Sequence, residues 1–338
     1  MHNNNMIIKI ISILPFFLQQ IIPSDSFVIP SKTNTIHNLK STSTTSKLSS
    51  TSDVAIVGCG VLGTSICKQL LSSNLKITAI TKTTNNHESI LKTIGDADNF
   101  ELSTYENIKG KTFTNVIFCA PPSGFDGYPQ AIQDTIDTVW NKEGAFIFTS
   151  SSAVYPYKNK EIVNESTPTA ELKDGTPERL ARLLKSENIV LQYENGHVLR
   201  LAGLYNRNRG AHNYYLMSKK DVLPGRGDYL VNLLHYDDAA SACISTLNYH
   251  LNKPTIASEV RNKNVFIITD GNPKTRTEQC EICVNSKAGE YEGCEVPKFE
   301  GGDQSDYGKV LVNEYAKSVL GWVPKYESFD GFFGSIME

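Results

Sequence analysis

The chain has 338 residues, a formal net charge of -3 and a pI near 6.2, and 40% of its residues are apolar. That is enough apolar material for one large core, and the absence of a basic excess argues against nucleic acid as a partner. Its seven cysteines are odd in number and scattered, which excludes a secreted disulfide framework.

In chain order, residues 1–26 read as a signal peptide. A weakly basic start precedes the apolar stretch Ile10 to Ile22, which is broken by Pro15 and too short to span a bilayer comfortably. Ser24-Asp25-Ser26 then offers small residues for a cut before Phe27. Residues 27–52 contain 13 Ser or Thr, three Lys and no acid, a transit-peptide composition. With Ser26-Phe27 at the junction, the front end resembles the bipartite presequence of plastid proteins in algae with complex plastids. The resemblance implies plastid import and no membrane attachment of the mature form; secretion is the alternative.

The main domain is expected over residues 53–338. Val54 to Val57 is a β-branched run ending in Gly58-Cys59-Gly60-Val61-Leu62-Gly63, the spacing of a dinucleotide-binding loop. The first glycine permits the strand-to-helix turn, the second lets backbone approach a diphosphate, and the third lets the helix pack on the strand. Thr64 to Leu71 continues as a helix and Leu75 to Ile80 as a second strand. Thr81 and Lys82 stand where an NAD site carries an acid, so they favour the 2'-phosphate of NADP over NAD, though NAD remains possible. Glu88 to Ile94 reads as helix, Asn115 to Cys119 as a strand ending beside the cofactor at Ala120-Pro121, Gly127 to Trp140 as helix and Ala145 to Phe148 as strand. Val198 to Leu201 and Val265 to Ile268 supply later strands around a helix near Asp237 to Leu247. The alternation predicts an α/β fold with a doubly wound parallel sheet. Residues 205–229 and 263–338, with a final helix from Lys309 to Leu320, form a smaller substrate-side lobe. Gly225 to Asp228 reads as a hairpin turn between Val222-Leu223-Pro224 and Tyr229-Leu230-Val231.

Thr149-Ser-Ser151-Ser-Ala-Val-Tyr155 resembles the serine strand of the extended short-chain dehydrogenase/reductases, the sugar-nucleotide epimerases and dehydratases. Further similar stretches are Glu165-Ser-x-Pro168, Arg200-x-x-Gly203-x-Tyr205, Asn232-Leu-Leu-His235-Tyr-Asp237-Asp238 and Leu320-Gly-Trp-x-Pro324. The resemblance implies a Rossmann core, a nicotinamide dinucleotide, and Ser151 as the hydroxyl that orients the substrate's reacting oxygen. It also implies Tyr-x-x-x-Lys on the next helix, and that pair is missing. Counting from Glu187 puts Arg179 and Leu183 at those positions, and no tyrosine lies between Tyr157 and Tyr193. Arginine cannot act as a base near neutrality. Arg200-Leu-Ala-Gly-Leu-Tyr205 and Arg209-Gly-Ala-His212 place the chain near an atypical branch of bacterial and plastid proteins.

Two functions follow. One is an unusual oxidoreductase or epimerase-like enzyme of a small-molecule substrate, with Ser151 orienting, Tyr155 or His235 moving the proton, and Arg179 and Asn232 on the substrate side. The other is a non-catalytic NADP(H)-binding scaffold or redox sensor. Cys280-x-x-Cys283 with Cys294 lacks a fourth ligand for zinc and reads as reduced cysteines or a redox switch, with no metal expected.

Overall fold

The computed structural model describes residues 52–218, 220–252, 264–286 and 289–335. The expected signal peptide and the transit-like segment lie outside the described residues, apart from Ser52. Among the described residues no helix is long and apolar enough to cross a membrane.

Seven strands make the main sheet, numbered here among themselves: β1 Asp53–Val57, β2 Lys76–Thr81, β3 Phe100–Thr104, β4 Asn115–Phe118, β5 Phe146–Ser151, β6 Gly196–Leu201 and β7 Val265–Ile268. Their order is β7-β6-β5-β4-β1-β2-β3 and every ladder is parallel. Strands buried on both faces need continuous apolar runs, as Val54 to Val57 and Val265 to Ile268 have. Successive residues serve opposite faces: Val54 and Ile56 join one core cluster, Ala55 and Val57 the other. This is the expected doubly wound α/β fold. The order reverses between β1 and β4, and there the carboxyl ends of the strands open a crevice.

The helices are α1 Val61–Leu70, α2 His87–Ile94, α3 Tyr128–Thr138, α4 Glu178–Val190, α5 Ala211–Met217, α6 Tyr236–Asn252, α7 Arg276–Asn285, α8 Glu314–Leu320 and α9 Phe329–Gly334. Helix α1 packs on α6, and α3 on α4. Beyond the sheet, Tyr205, Leu233, Cys280, Cys283, Phe329 and Phe333 belong to a separate apolar cluster that holds the smaller lobe together.

Three expectations need correction. Strand β3 was not anticipated: it is an edge strand in which only Ser103 and Thr104 are buried, so it carries no apolar run. The helix expected from Lys309 to Leu320 begins at Glu314, because Lys309–Leu311 is a strand paired in parallel with Glu161–Val163, and it is not the final one, since α9 follows it. Nor do Val222–Pro224 and Leu230–Val231 form a hairpin. The first pairs with Lys298–Glu300 and the second with Lys274–Thr275. The intervening turn is drawn away by Arg226, whose guanidinium stacks 4.0 Å from the Tyr307 ring centre and donates to the Gln304 carbonyl at 2.7 Å.

Candidate cofactor site and the end of the serine strand

The three glycines of the loop serve three different needs. Gly58 has φ +95°, and a Cβ there would fall 2.4 Å from the backbone of Ala120. A Cβ on Gly63 would lie 2.5 Å from the Gly58 carbonyl oxygen, so α1 approaches the loop only because that atom is missing. Gly60 is different: a Cβ would meet nothing within 4 Å. It caps α1 without a side-chain hydrogen bond, its own amide donates to the Gly58 carbonyl at 2.9 Å, and its carbonyl accepts from Thr64 at 2.8 Å. The amides of Val61, Leu62 and Gly63 therefore fill the first helical turn, where no intrahelical acceptor exists, and the helix dipole adds positive potential. Cys59 sits between them, 3.5 Å from the Thr64 hydroxyl, and a hydrogen bond with Cys67 holds its thiol below the ordinary pKa.

Two cavities flank this loop and share Cys59, Gly60 and Asn86. The inner one, about 210 Å³, is walled by Gly58, Ile80, Tyr105, Ala120 and Phe125, with Thr81, Lys82 and Pro121 at its edge. No carboxylate lines it. Lys82 bridges to the Gly124 carbonyl at 3.1 Å. The Thr81 hydroxyl is engaged, donating to the Ser103 carbonyl at 3.1 Å and meeting His87 Nε2 at 2.7 Å. The outer cavity, about 630 Å³, lies over the start of α1 and includes Lys68, Arg209, His235, Tyr236 and Asp237. An open Gly60 at the start of α1 and an apolar slot beside it suit a dinucleotide, whose diphosphate the first-turn amides would hold.

The candidate catalytic residues are arranged less openly. Ser151 ends β5, and its Oγ accepts from the Ala153 amide at 3.2 Å. Tyr155 is 1% exposed, and its hydroxyl accepts from Arg200 Nη1 at 2.6 Å. Arg200 in turn grips Glu187 on α4, with Nη2 to Oε2 at 2.7 Å, while the Ser150 hydroxyl donates to the same carboxylate at 2.5 Å. The structure thus places Tyr155 in a buried network behind the serine strand. It does not bring Tyr155 into the crevice.

His235 does line the outer cavity. Its Nδ1 accepts from the Asp237 amide at 3.1 Å, capping the start of α6. That bond requires an unprotonated Nδ1, so the neutral ring carries its proton on Nε2. Burial among Tyr205, Tyr326 and Phe332 pushes its pKa down to about 4. Asn232 is spent on the lobe: Nδ2 donates to the Lys309 carbonyl at 2.9 Å and Oδ1 accepts from Leu311 at 2.8 Å. Arg179 is exposed on the first turn of α4 and lines neither cavity. Cys280 and Cys283 are buried free thiols on α7, and burial pushes Cys280 up to about 12.

Two residues of this region were missed in the sequence. Arg209 lines the outer cavity together with Gly60 and Val61; the match at Arg209-Gly-Ala-His212 was its only signal. Lys309 donates to the carbonyls of Ser152 and Tyr155, and burial lowers its pKa to about 8. Nothing in the sequence near position 309 marks it.

A parallel sheet in this order, with a glycine loop at the switch between β1 and β4, defines a Rossmann protein. The chain shares that fold with solved structures of a dehydratase and of epimerases. It is similar to a dTDP-glucose 4,6-dehydratase from Bacillus anthracis solved with NAD, at TM-score 0.62 and 19% identity, covering 83% of this chain and 94% of that one. It is equally similar to a UDP-Glc/GlcNAc 4-epimerase from Campylobacter jejuni, at TM-score 0.62 and 17% identity over 84% and 97% of the two chains. A functionally unknown conserved protein from Silicibacter pomeroyi gives TM-score 0.62 at 20% identity, over 84% and 97%. No family model and no curated protein matches the sequence.

Proposed function

We propose that this chain is an NADP(H)-binding oxidoreductase or epimerase-like protein that acts on a small molecule without the usual Tyr/Lys pair. The observation that carries the reading is the start of α1, where an open Gly60 borders both cavities and Val61 lines the outer one. The choice of NADPH over NADH rests on the inner cavity: no carboxylate lines it to repel a 2'-phosphate, and Lys82 stands at its edge.

The nicotinamide, when bound, supplies hydride chemistry. The chain supplies hydrogen bonds. Ser151 lies at the carboxyl end of β5, where its hydroxyl orients a substrate oxygen, and His235 offers Nε2–H as a neutral donor. Neither is a strong base at pH 7, since His235 keeps its proton on Nε2 and titrates only near 4. Because the neighbours bind nucleotide sugars in two cases, UDP-glucose in MoeE5 and in an epimerase from Thermotoga maritima, a sugar nucleotide is the first substrate class to try.

A second reading is a non-catalytic NADP(H) sensor or scaffold, favoured by the burial of Tyr155 against Arg200. The deciding experiment is calorimetric titration of the full chain with NADPH and NADH, followed by oxidation of bound NADPH across sugar nucleotides and simple carbonyls. Tighter NADPH binding with turnover that falls in Ser151→Ala supports the enzyme. Binding without turnover supports the sensor, and absence of binding ends both. We further propose plastid delivery by residues 1–52; a fluorescent fusion of that segment that stays in the secretory route would overturn it.

A further inference from the structure

We propose that Arg209 closes over the cofactor's diphosphate from the side opposite α1, so that the phosphates lie between the helix N-terminus and a guanidinium. The proposal rests on the dinucleotide reading above. Arg209 and the first-turn residues Gly60, Val61 and Thr64 line the same 630 Å³ cavity. The helix end supplies amides and positive potential. Arg209 supplies a planar fork suited to two phosphate oxygens.

The guanidinium is anchored and yet unspent. Its Nε donates to the Tyr236 hydroxyl at 3.0 Å. Tyr236 opens α6 directly after the strand Leu233–His235, which pairs with Gly203–Tyr205, so the anchor belongs to the ladder that leads into the arginine's own turn. That turn is held as well: Asn206 donates to the Arg209 carbonyl at 2.8 Å, and the Tyr291 hydroxyl donates to the Arg207 carbonyl at 2.8 Å. Among the described residues no carboxylate lies within 4.0 Å of Arg209. Its neighbours differ, for Arg200 pairs with Glu187, Arg207 with Glu290 and Arg226 with Asp228. Arg209 thus lines the cavity with the hydrogen-bonding capacity of its terminal nitrogens unspent. The one carboxylate in that wall, Asp237, accepts from Ser65 at 2.7 Å and lies beside His235. Lys68 adds a second cation further along α1.

A geometry fixed before binding costs little ordering entropy, so the interaction converts efficiently into affinity. The test is calorimetry on the full chain with NADPH, ADP-ribose and adenosine, comparing wild type with Arg209→Ala, Arg209→Lys and Tyr236→Phe. Losing a charged hydrogen-bond pair to phosphate is expected to weaken NADPH and ADP-ribose by about 10- to 100-fold in Arg209→Ala. Adenosine, which has no phosphate, should change less than twofold, and the salt dependence of ADP-ribose binding should flatten. Arg209→Lys keeps the charge without the fork and should recover part of the loss. Tyr236→Phe frees the fork and should cost a few-fold. Unchanged ADP-ribose affinity in Arg209→Ala, with wild type binding normally, overturns this inference alone, as does an equal loss for adenosine. A wild type that binds no dinucleotide overturns the cofactor reading and this one together.

Discussion

At the glycine loop Gly60 and Val61 line a cavity at the start of α1, where first-turn amides have no intrahelical acceptor, and Arg209 lines the same cavity. At the end of β5, in the same sheet, the hydroxyls of Ser150 and Tyr155 are both consumed by Glu187 and Arg200. The two regions use polar groups for opposite ends. Free donors held in place by backbone bind something else, whereas buried donors matched to buried acceptors bind the protein to itself. The contrast puts the function of this chain in its cofactor half and assigns much of the serine-strand half to stability.

The sharpest way to break that contrast is Glu187→Ala. Removing the carboxylate leaves Arg200 buried and unpaired, which costs about 3–5 kcal/mol. Urea denaturation should show that loss, and dinucleotide affinity of the folded fraction should not change. A loss below about 1 kcal/mol would mean that the network is solvated and open to ligands, and the contrast would fail.

Gly58→Ala comes next. A methyl group would have to occupy space 2.4 Å from the Ala120 backbone at φ +95°. Strain in that region costs roughly 1–3 kcal/mol and overpacking a similar amount. A drop of about 3 kcal/mol is expected by the same measurement. Unlike Glu187→Ala, this variant should lose NADPH binding as well, since the loop itself must move.

Why the glycine loop was legible while the rest of the site was not follows from how far apart the partners lie. Gly58, Gly60 and Gly63 act within six residues, so spacing alone states their geometry. Tyr155 and Arg200 are 45 positions apart, and nothing local to Tyr155 tells that an arginine will take its hydroxyl. Glu187 stands out as an acidic position on the helix, but its role depends on β6 lying beside β5. The main sheet is readable where strands are buried on both faces and unreadable at β3, whose polar edge has no pattern. The lobe is hardest: Val222–Pro224 pairs with a strand some 75 residues away, so a turn motif between two apolar triplets imitates a hairpin. Lys309 is hidden for the same reason, since its environment is made by the carbonyls of Ser152 and Tyr155.

The histidines give a third, smaller test. His235 and His212 are both pushed down to about 4 by burial, the first at the outer cavity and the second in the lobe. A histidine whose folded pKa lies below its unfolded value of about 6.5 favours the fold fully above pH 6.5. That contribution is lost as pH falls from about 6.5 towards 4. Asp270, raised to about 7 by burial, works the other way, losing stability as pH rises through the same range. Comparing wild type with Asp270→Asn separates the two: the variant should lose stability more steeply on acidification. His235 ring resonances should show no titration between about pH 5 and 8. A midpoint near 6.5 would return His235 to the role of proton carrier at the outer cavity.

Gly60→Ala should have the smallest effect on the fold, and for that reason it separates binding from stability most cleanly. Gly60 has φ -88°, which an alanine adopts without strain, and its Cβ would meet no protein atom within 4 Å. Alanine is a poorer helix cap than glycine by most of the roughly 0.5–2 kcal/mol that separates a good cap from alanine. Stability should therefore fall by about 1 kcal/mol. The space that the methyl enters is shared by both cavities, and it is where a diphosphate would approach the backbone. A methyl group that holds the phosphates off the loop amides should weaken NADPH by about tenfold or more. If Gly60→Ala binds NADPH as wild type does, the second glycine is merely a turn residue, and the phosphates must lie elsewhere than between α1 and Arg209. If binding falls while the melting curve moves little, Gly60 is kept free of a side chain for the ligand, in contrast to Gly58 and Gly63, which the fold itself requires to be bare.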